Sequence, residues 1–313
     1  MKRYISYKTS SRLYVAVSLL LSLLVLSVGS KAQQFKSFNQ YSNNLVPFNP
    51  AYSLVHGDNG AVNSLLRKQF TGIEGAPTTV MVNGYLPLSS IGATAGLMIQ
   101  NDQVAIERLT ELNAFFAKSI QLAGTQHLGV SINAGYRFYR ANYTSLDPTG
   151  ADPNFRNNID DNKPNIGFGV MYYSDKFYLG LSLPRLTIRS LGTGSQQTDA
   201  NFRNSYYLTG AYVFDLSDDI KLKPATLVNY TPSIPVEADI SAILYTKEVF
   251  GIGANYNTRG SIAGILSFNV NAVQIGYSYQ VGTSRIAGFG NGIHEIMLGF
   301  RFGSTAKESG GVL

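Results

Sequence analysis

The sequence alternates between apolar residues and small or polar residues with a period of two, in segments of about ten residues that recur along most of the chain. Phe177–Leu183 and Ile296–Phe302 are clear examples. Such alternation places one set of side chains on each face of a β-sheet. It predicts an all-β chain with fourteen strands, at 61–70, 78–87, 91–100, 107–121, 126–141, 164–174, 176–184, 204–216, 220–231, 236–246, 249–258, 260–270, 272–281 and 292–303.

Two architectures have this pattern, a transmembrane β-barrel and a large soluble β-sandwich. Ten residues is about the length that a tilted strand needs to cross the hydrocarbon layer. An even number of strands suits a closed antiparallel barrel, since lipid cannot satisfy the backbone groups of an open sheet edge. A soluble sandwich would carry many Lys, Glu and Asp on its outer face, but charged residues are only 14% of this chain, against roughly 25% in soluble proteins. Composition therefore favours the outer-membrane barrel.

The first 32 residues are predicted to be a cleaved signal peptide. Basic residues at positions 2, 3, 8 and 12 precede an apolar run at 13–28, and Ser30-Lys31-Ala32 gives small residues before a cleavage point at Gln33. The alternative is a membrane anchor, for which the run is short. The peptide holds five of the 25 basic residues, so the rest of the chain is nearly neutral and gives no indication of nucleic-acid binding.

The mature chain divides into three predicted parts. Residues 33–60 are polar and rich in Asn, which predicts a periplasmic segment or a plug in the barrel lumen. Residues 61–303 form the barrel, and residues 304–313 form a flexible tail. Short connections usually face the periplasm and long loops the exterior, where they make a binding surface. The long loops are expected at 145–164, 185–204 and 281–292, and short ones at 175, 216–219 and 257–260.

Tyrosines near the strand ends are predicted to form the aromatic girdles at the membrane surfaces. Those expected to do so are Tyr172-Tyr173, Tyr206-Tyr207, Tyr277 and Tyr279.

Chemical sites are poorly indicated. The chain has no Cys, and its three histidines, His56, His127 and His294, have no metal-ligand spacing, so we expect no metal, no cofactor and no enzymatic activity. His294-Glu295 would suit a hydrolase in the barrel wall, but adjacent strand residues face opposite sides and cannot meet one Ser. Carboxylates in the loop from Asp147 to Asp161 suit calcium, although their spacing fits no EF-hand and a solvated loop is favoured.

Two runs of sequence resemble a known family. The first is Asn49-Pro50-Ala51-Tyr52, and the second is Leu66–Thr79, which reads LRKQFTGIEGAPTT. They resemble the N-terminal signature of the PorP/SprF family of the type IX secretion system, and Ile275–Tyr279 and Gly292–Ile296 add matches near the C-terminus. Phe70 stands where the family usually has Trp, and Gln280 stands where Asp often follows the Tyr.

The resemblance implies an outer-membrane protein of Bacteroidetes that acts by binding. Its expected partners are membrane lipid, a secreted or surface cargo such as an adhesin with a type IX C-terminal domain, and periplasmic secretion or motor components, with a link to gliding motility. A channel for small or hydrophobic solutes is the alternative. The motif residues are read either as a rigid turn or as contacts to a partner or plug; they are Asn49, Pro50, Arg67, Gln69, Phe70, Gly72, Gly75, Pro77, His294 and Glu295.

Overall fold

The computed structural model describes residues 38–146, 152, 155–188, 191–192, 202–282 and 292–303. The predicted signal peptide and tail lie outside these residues. The strands are β1 (Asn59–Gln69), β2 (Thr78–Leu88), β3 (Ala93–Val104), β4 (Glu107–Ala123), β5 (Gln126–Ala141), β6 (Ile159–Tyr173), β7 (Phe177–Thr187), β8 (Tyr206–Tyr212), β9 (Phe214–Asp215), β10 (Ile220–Tyr230), β11 (Glu237–Thr246), β12 (Phe250–Asn257), β13 (Ser261–Val270), β14 (Val273–Gly282) and β15 (Ile293–Gly303).

These strands form one closed antiparallel sheet. Each pairs with its neighbours in the sequence, and β1 pairs with β15, from Asn59 opposite Gly303 to Gln69 opposite Ile293. The segments β8 and β9 both pair with β10 and are separated only by Val213, so they make one strand of the wall. The described residues thus form the fourteen-stranded barrel that the periodicity predicts, with no free sheet edge.

The two faces of the wall differ as a membrane barrel requires. Large apolar side chains such as Val80, Leu97 and Leu181 point outward and are exposed, while the alternate positions are buried inside. The outward set would face hydrocarbon and the inward set lines the lumen. Among the described residues, no helix has the length and apolar character that a membrane crossing requires.

The connections divide between two ends of the barrel. At the long-loop end lie the strand ends that are joined by the connections from β1 to β2, β3 to β4, β5 to β6, β7 to β8, β10 to β11, β12 to β13 and β14 to β15. The short-turn end carries residues 89–92, 124–125, 174–176, 216–219, 247–249 and 271–272, together with the start of β1 and the end of β15. The short turn at 257–260 therefore lies beside the long loops rather than opposite them.

Two local expectations were wrong. Strand β6 begins at Ile159 rather than at 164, because Pro164 is tolerated in it. The carbonyl of Pro164 accepts a hydrogen bond from the N–H of Ile188, just beyond the end of β7. Pro164 has no N–H to donate, and it lies beside the end of β7, where the hydrogen-bonded pairing of the two strands stops. Tyr173 and Tyr207 do not join an outer girdle, since they face the lumen and are buried, while Tyr206, Tyr277 and Tyr279 point outward.

Residues 38–54, called here the lumen segment, pack inside the barrel. The segment contains two short 3₁₀-helices, η1 (Asn39–Ser42) and η2 (Pro50–Leu54), and every one of its residues is buried. Helix η1 contacts β10, β11 and β13–β15, and η2 contacts β3–β6 on the other side of the wall. The lumen segment therefore bridges the barrel interior.

Candidate functional site

The lumen segment runs from the long-loop end to the short-turn end. Near its start, Asn39 donates to Gln280 at the end of β14, with the atoms 3.0 Å apart. At its middle, Asn44 Nδ2 donates to Asn83 Oδ1 over 2.7 Å. Near its end, the Ser53 hydroxyl lies 2.5 Å from that of Thr94, the second residue of β3. The chain then turns and enters β1.

Asn49 fixes the lumen segment to one side of the wall. Its Nδ2 donates to the carbonyl of Val170 on β6, at 3.0 Å, and its Oδ1 accepts from the N–H of Ala51 as the N-cap of η2. A Cβ added to Gly169 would lie 2.3 Å from Asn49 Oδ1, and one added to Gly180 would lie 2.7 Å from Nδ2. Two glycines of β6 and β7 thus leave the space that the Asn49 side chain fills.

The rest of the Asn-Pro-Ala-Tyr run builds an apolar floor toward the short-turn end. Pro50 occupies the first turn of η2, where a missing N–H costs nothing. Tyr52 packs edge-to-face against Tyr178 of β7 and against His56, with ring centroids 5.3 and 5.2 Å apart. Burial raises the pKa of Tyr52 to about 12, so its hydroxyl stays protonated.

A second anchor joins the lumen segment to the closing seam of the barrel. Arg67 of β1 and Glu295 of β15 are opposite each other, and their Nη1 and Oε1 atoms are 2.6 Å apart with both side chains buried. Glu295 Oε2 accepts from the Gln40 N–H and the Ser278 hydroxyl, each at 3.2 Å. The Phe38 ring lies 6.0 Å from the Arg67 guanidinium. The pair therefore ties three strands to η1.

The remaining residues of the second motif form the turn between β1 and β2. Gln69 N–H donates to the Pro77 carbonyl, which closes the hairpin at 3.0 Å. Phe70, Gly72 and Gly75 all have positive φ, and the two glycines adopt it without the steric cost that a Cβ brings. Phe70 N–H donates to the carbonyl of Gly292, and the Gly75 carbonyl accepts from Ala105 N–H. The turn is thus bonded to both neighbouring connections at the long-loop end.

The structure separates the two adjacent residues of β15. His294 faces outward, where its Nδ1 lies 2.9 Å from the Tyr277 hydroxyl and its ring lies against Tyr279. Glu295 is fully buried inside. The other two histidines lie elsewhere, His56 against Tyr52 and His127 stacked on Tyr173. Glu295 therefore anchors the lumen segment, whereas His294 is a group on the outer surface of the wall.

The upper lumen, toward the long-loop end, is lined by a charged network that the sequence did not indicate. Glu111 of β4 pairs with Arg137 at 3.0 Å and with Arg185 at 2.6 Å. Arg185 also donates to Gln100, whose amide donates to Asp102. Alternation marks Gln100, Asp102, Glu111 and Arg137 as inward-facing, but it would place Arg185 outward with Leu181 and Leu183. A β-bulge in the pairing of β6 with β7 turns Arg185 inward, and only the barrel register shows that these residues meet across four strands.

A smaller cluster lies on the opposite wall. Asn255 and Asn257 of β12 both donate to Asp239 Oδ1 at 2.9 Å, and Asn257 also donates to Glu237. Asn255 reaches Asn39 of the lumen segment at 3.1 Å. Charges and amides therefore surround the upper part of the lumen segment, whereas aromatic and aliphatic side chains surround its lower part.

Part of the carboxylate loop at 147–161, including Asp147, lies outside the described residues. Of its described members, Asp160 faces outward and pairs with Arg140 at 3.2 Å, while Asp161 is buried on the inner face. These two carboxylates therefore point to opposite sides of the wall.

A family model for the type IX secretion system membrane protein PorP/SprF matches residues 30–300. The chain belongs to the PorP/SprF family. The match takes in the lumen segment, both motif runs and nearly all of the barrel wall. This is a family of secretion membrane proteins rather than of enzymes. No curated protein matches the chain.

Three solved structures are similar to this chain in fold, each at low sequence identity. The toluene transporter TbuX of Ralstonia pickettii has a TM-score of 0.49 at 9% identity, with 88% of this chain and 96% of that chain covered. The monoaromatic hydrocarbon channel TodX, solved as a mutant, has a TM-score of 0.44 at 9% identity, covering 89% and 96%. CdiB from Acinetobacter baumannii has a TM-score of 0.43 at 8% identity, with 78% of this chain covered. This chain spans only 60% of the length of CdiB.

Proposed function

We propose that this PorP/SprF protein is exported through its signal peptide and acts in the outer membrane by binding type IX cargo. A secreted protein or adhesin with a type IX C-terminal domain would dock at the long-loop end, outside the cell. Periplasmic secretion or motor components would contact the short-turn end. In a gliding member of the Bacteroidetes this would serve surface attachment of the adhesin.

The occupied lumen is the observation that carries this proposal. The lumen segment is buried along its whole length and is held to the wall at Asn49, Gln40 and Asn44. A barrel whose interior is filled by its own chain suits docking on its ends better than passage of solutes. The connections at the long-loop end supply the larger binding surface.

Deletion of the gene tests the proposal. Secreted and cell-surface proteins of the mutant and the parent are compared by mass spectrometry. We expect loss from the mutant surface of one or more proteins that carry a type IX C-terminal domain. Loss of one points to a dedicated cargo, and loss of many to a core component. An unchanged surface proteome, with paralogues also deleted, would remove the secretion role.

The channel alternative is tested by conductance in planar bilayers. We expect the full-length barrel to conduct poorly and a variant that lacks residues 38–54 to conduct well. If the deletion variant does not fold, Asn49→Ala tests the same point, because it removes the bonds to β6 and to η2. High conductance of the unaltered protein would favour the channel.

A further inference from the structure

Two arginines face each other on the outside of the wall at the long-loop end. Arg108 of β4 and Arg140 of β5 are directly paired across the strands, and both side chains point outward and are exposed. Like charges in this position destabilise a sheet. One carboxylate, Asp160, pairs with Arg140, while Arg108 donates to the amide of Gln103. These three charged groups leave a net positive charge, which favours an anion bound between the arginines.

The position of these arginines relative to the membrane follows from strand geometry. Lys118 is the next outward-facing cation along β4, ten residues beyond Arg108. Ten residues span about 33 Å of strand, or about 23 Å along the membrane normal at a tilt of about 45°. That matches the roughly 25 Å apolar band of outer-membrane barrels. Arg108 and Lys118 therefore lie at the two headgroup levels.

The wall between these levels is apolar. Phe138 and Tyr136 follow Arg140 on the outer face of β5, with their rings stacked and their centroids 5.8 Å apart. Ile132 and Val130 continue the same face toward the short-turn end, and both are exposed. A molecule with an anionic head between the arginines would thus lay its acyl chains along aromatic and aliphatic side chains.

A groove of about 440 Å³ opens beside the arginine pair. It lies between the turn at 105–106 and the connection after β5, and its lining includes the amides of Gln103, Asn142 and Asn158 and the acidic residues Glu107 and Asp160. Glu107 has the inward parity of β4, so Asp160 is the acid that shares the outer face with the arginines. Guanidinium groups bind phosphate in a bidentate manner, and the amide groups supply further hydrogen-bond donors beside them.

We propose that Arg108 and Arg140 bind a phosphate group of an outer-leaflet glycolipid, with its acyl chains against Phe138, Tyr136 and Ile132. The chemistry that the site recognises is a phosphate monoester on a lipid. The inference rests on the orientation given under the proposed function, in which the long-loop end faces the outer leaflet. It would make the barrel a lipid-binding protein at a defined place on its wall.

The test uses the purified full-length protein in neutral detergent, with binding of bisphosphorylated lipid A followed by native mass spectrometry. We expect R108Q/R140Q to weaken binding at least tenfold and each single variant to weaken it about threefold. The matched control is K118Q, which removes a cation from the same strand and face at the other headgroup level, and we expect it to bind as the parent does. Heat-modifiable migration on gels confirms that each variant folds.

Four outcomes would overturn the proposal. The first is equal binding by R108Q/R140Q and the parent. The second is an equal loss in K118Q, which would indicate attraction to charge anywhere on the wall. The third is undiminished binding of dephosphorylated lipid A. If inorganic phosphate at millimolar concentration displaces the lipid, the site is one for free phosphate and the lipid assignment is wrong.

The lipid-binding proposal and the secretion proposal can be refuted separately. Loss of cargo from the surface of the deletion mutant would still support secretion if lipid A did not bind. Lipid binding that depends on the arginines would still stand if the surface proteome were unchanged.

Discussion

At the scale of single residues, Asn49 shows how a loop motif becomes a structural lock. Its side chain fills the space left by Gly169 and Gly180 and bonds to the backbone of β6. The sequence singles out Asn49 because it precedes Pro50 in the family motif, and it singles out the two glycines because they lie inside predicted strands. It does not show that these residues meet, because the contact depends on which part of the wall lies beside the lumen segment.

Replacement of Gly169 tests this lock. A Cβ at this position would lie 2.3 Å from Asn49 Oδ1 and 2.6 Å from the Ser131 hydroxyl, so Gly169→Ala should destabilise the barrel by about 1–3 kcal/mol, as overpacking does. Gly264→Ala is the matched control, since Gly264 is also in a strand but has nothing within 4 Å of such a Cβ. Urea unfolding in lipid vesicles measures the stability of both variants. Equal unfolding midpoints for the two would show that Asn49 can shift away from the new methyl group without loss of stability.

The Arg67–Glu295 pair gives a second prediction. Glu295→Gln keeps the shape but removes the carboxylate that lies 2.6 Å from the Arg67 guanidinium. The change removes the carboxylate partner from a buried guanidinium, so we expect the free energy of unfolding to fall by about 3 kcal/mol. The double variant Arg67→Met with Glu295→Gln should lose less than the sum of the single changes. Additive losses in that double-mutant cycle would contradict direct coupling.

The site at the seam could be predicted from the sequence only in part. Strand parity correctly indicates that His294 and Glu295 point to opposite sides. The partner of Glu295 is 228 residues away in the chain, and the two meet only because β1 pairs with β15 in one particular register. Periodicity indicates which face a residue occupies, but the register across a closing seam depends on the whole barrel.

At the scale of elements, the strands were the part that the sequence predicted best. A membrane-facing surface has to be apolar at every second position, so the pattern is strong in nearly every strand, and β5 has the predicted bounds. The lumen segment shows the opposite case. Its Asn-rich composition is that of a solvated loop, and it is buried only because inward-facing polar groups such as Asn83 and Asn255 supply partners.

His56, which follows the lumen segment, should make stability depend on pH. Burial, together with the nearby charges of Arg301 and Lys223, lowers the pKa of His56 well below 6.5 in the folded protein. Below about pH 6.5 the unfolded chain binds a proton that the folded chain does not, so folding stability falls as the pH is lowered and is fully present above that value. We expect a contribution of up to about 1.4 kcal/mol lost at pH 5.5.

The measurement compares the unfolding free energy of the parent and of His56→Gln at pH 7.5 and pH 5.5. The parent should lose more stability on acidification than the variant, which has no group that titrates at this position. Equal losses in the two proteins would mean that His56 is protonated in the folded state as readily as in the unfolded chain.

At the scale of the whole molecule, the barrel has two chemically distinct ends. Both chain ends of the wall, at Asn59 and Gly303, lie at the short-turn end, and the lumen segment enters β1 there. Charged networks line the lumen near the long loops, while the apolar floor around Tyr52 lies near the short turns. Long loops usually lie outside the cell in outer-membrane barrels, so we expect the long-loop end to face outward.

The absence of Cys from the chain makes this orientation directly testable. Glu74 is exposed in the β1–β2 turn at the long-loop end, and Asp218 is exposed in a turn at the short-turn end. Single variants Glu74→Cys and Asp218→Cys are expressed in the native host and treated with a membrane-impermeant maleimide. We expect the first to be labelled on intact cells and the second only after the outer membrane is permeabilised. The reverse pattern would place the short turns outside, and cargo docking at the long loops would then be wrong.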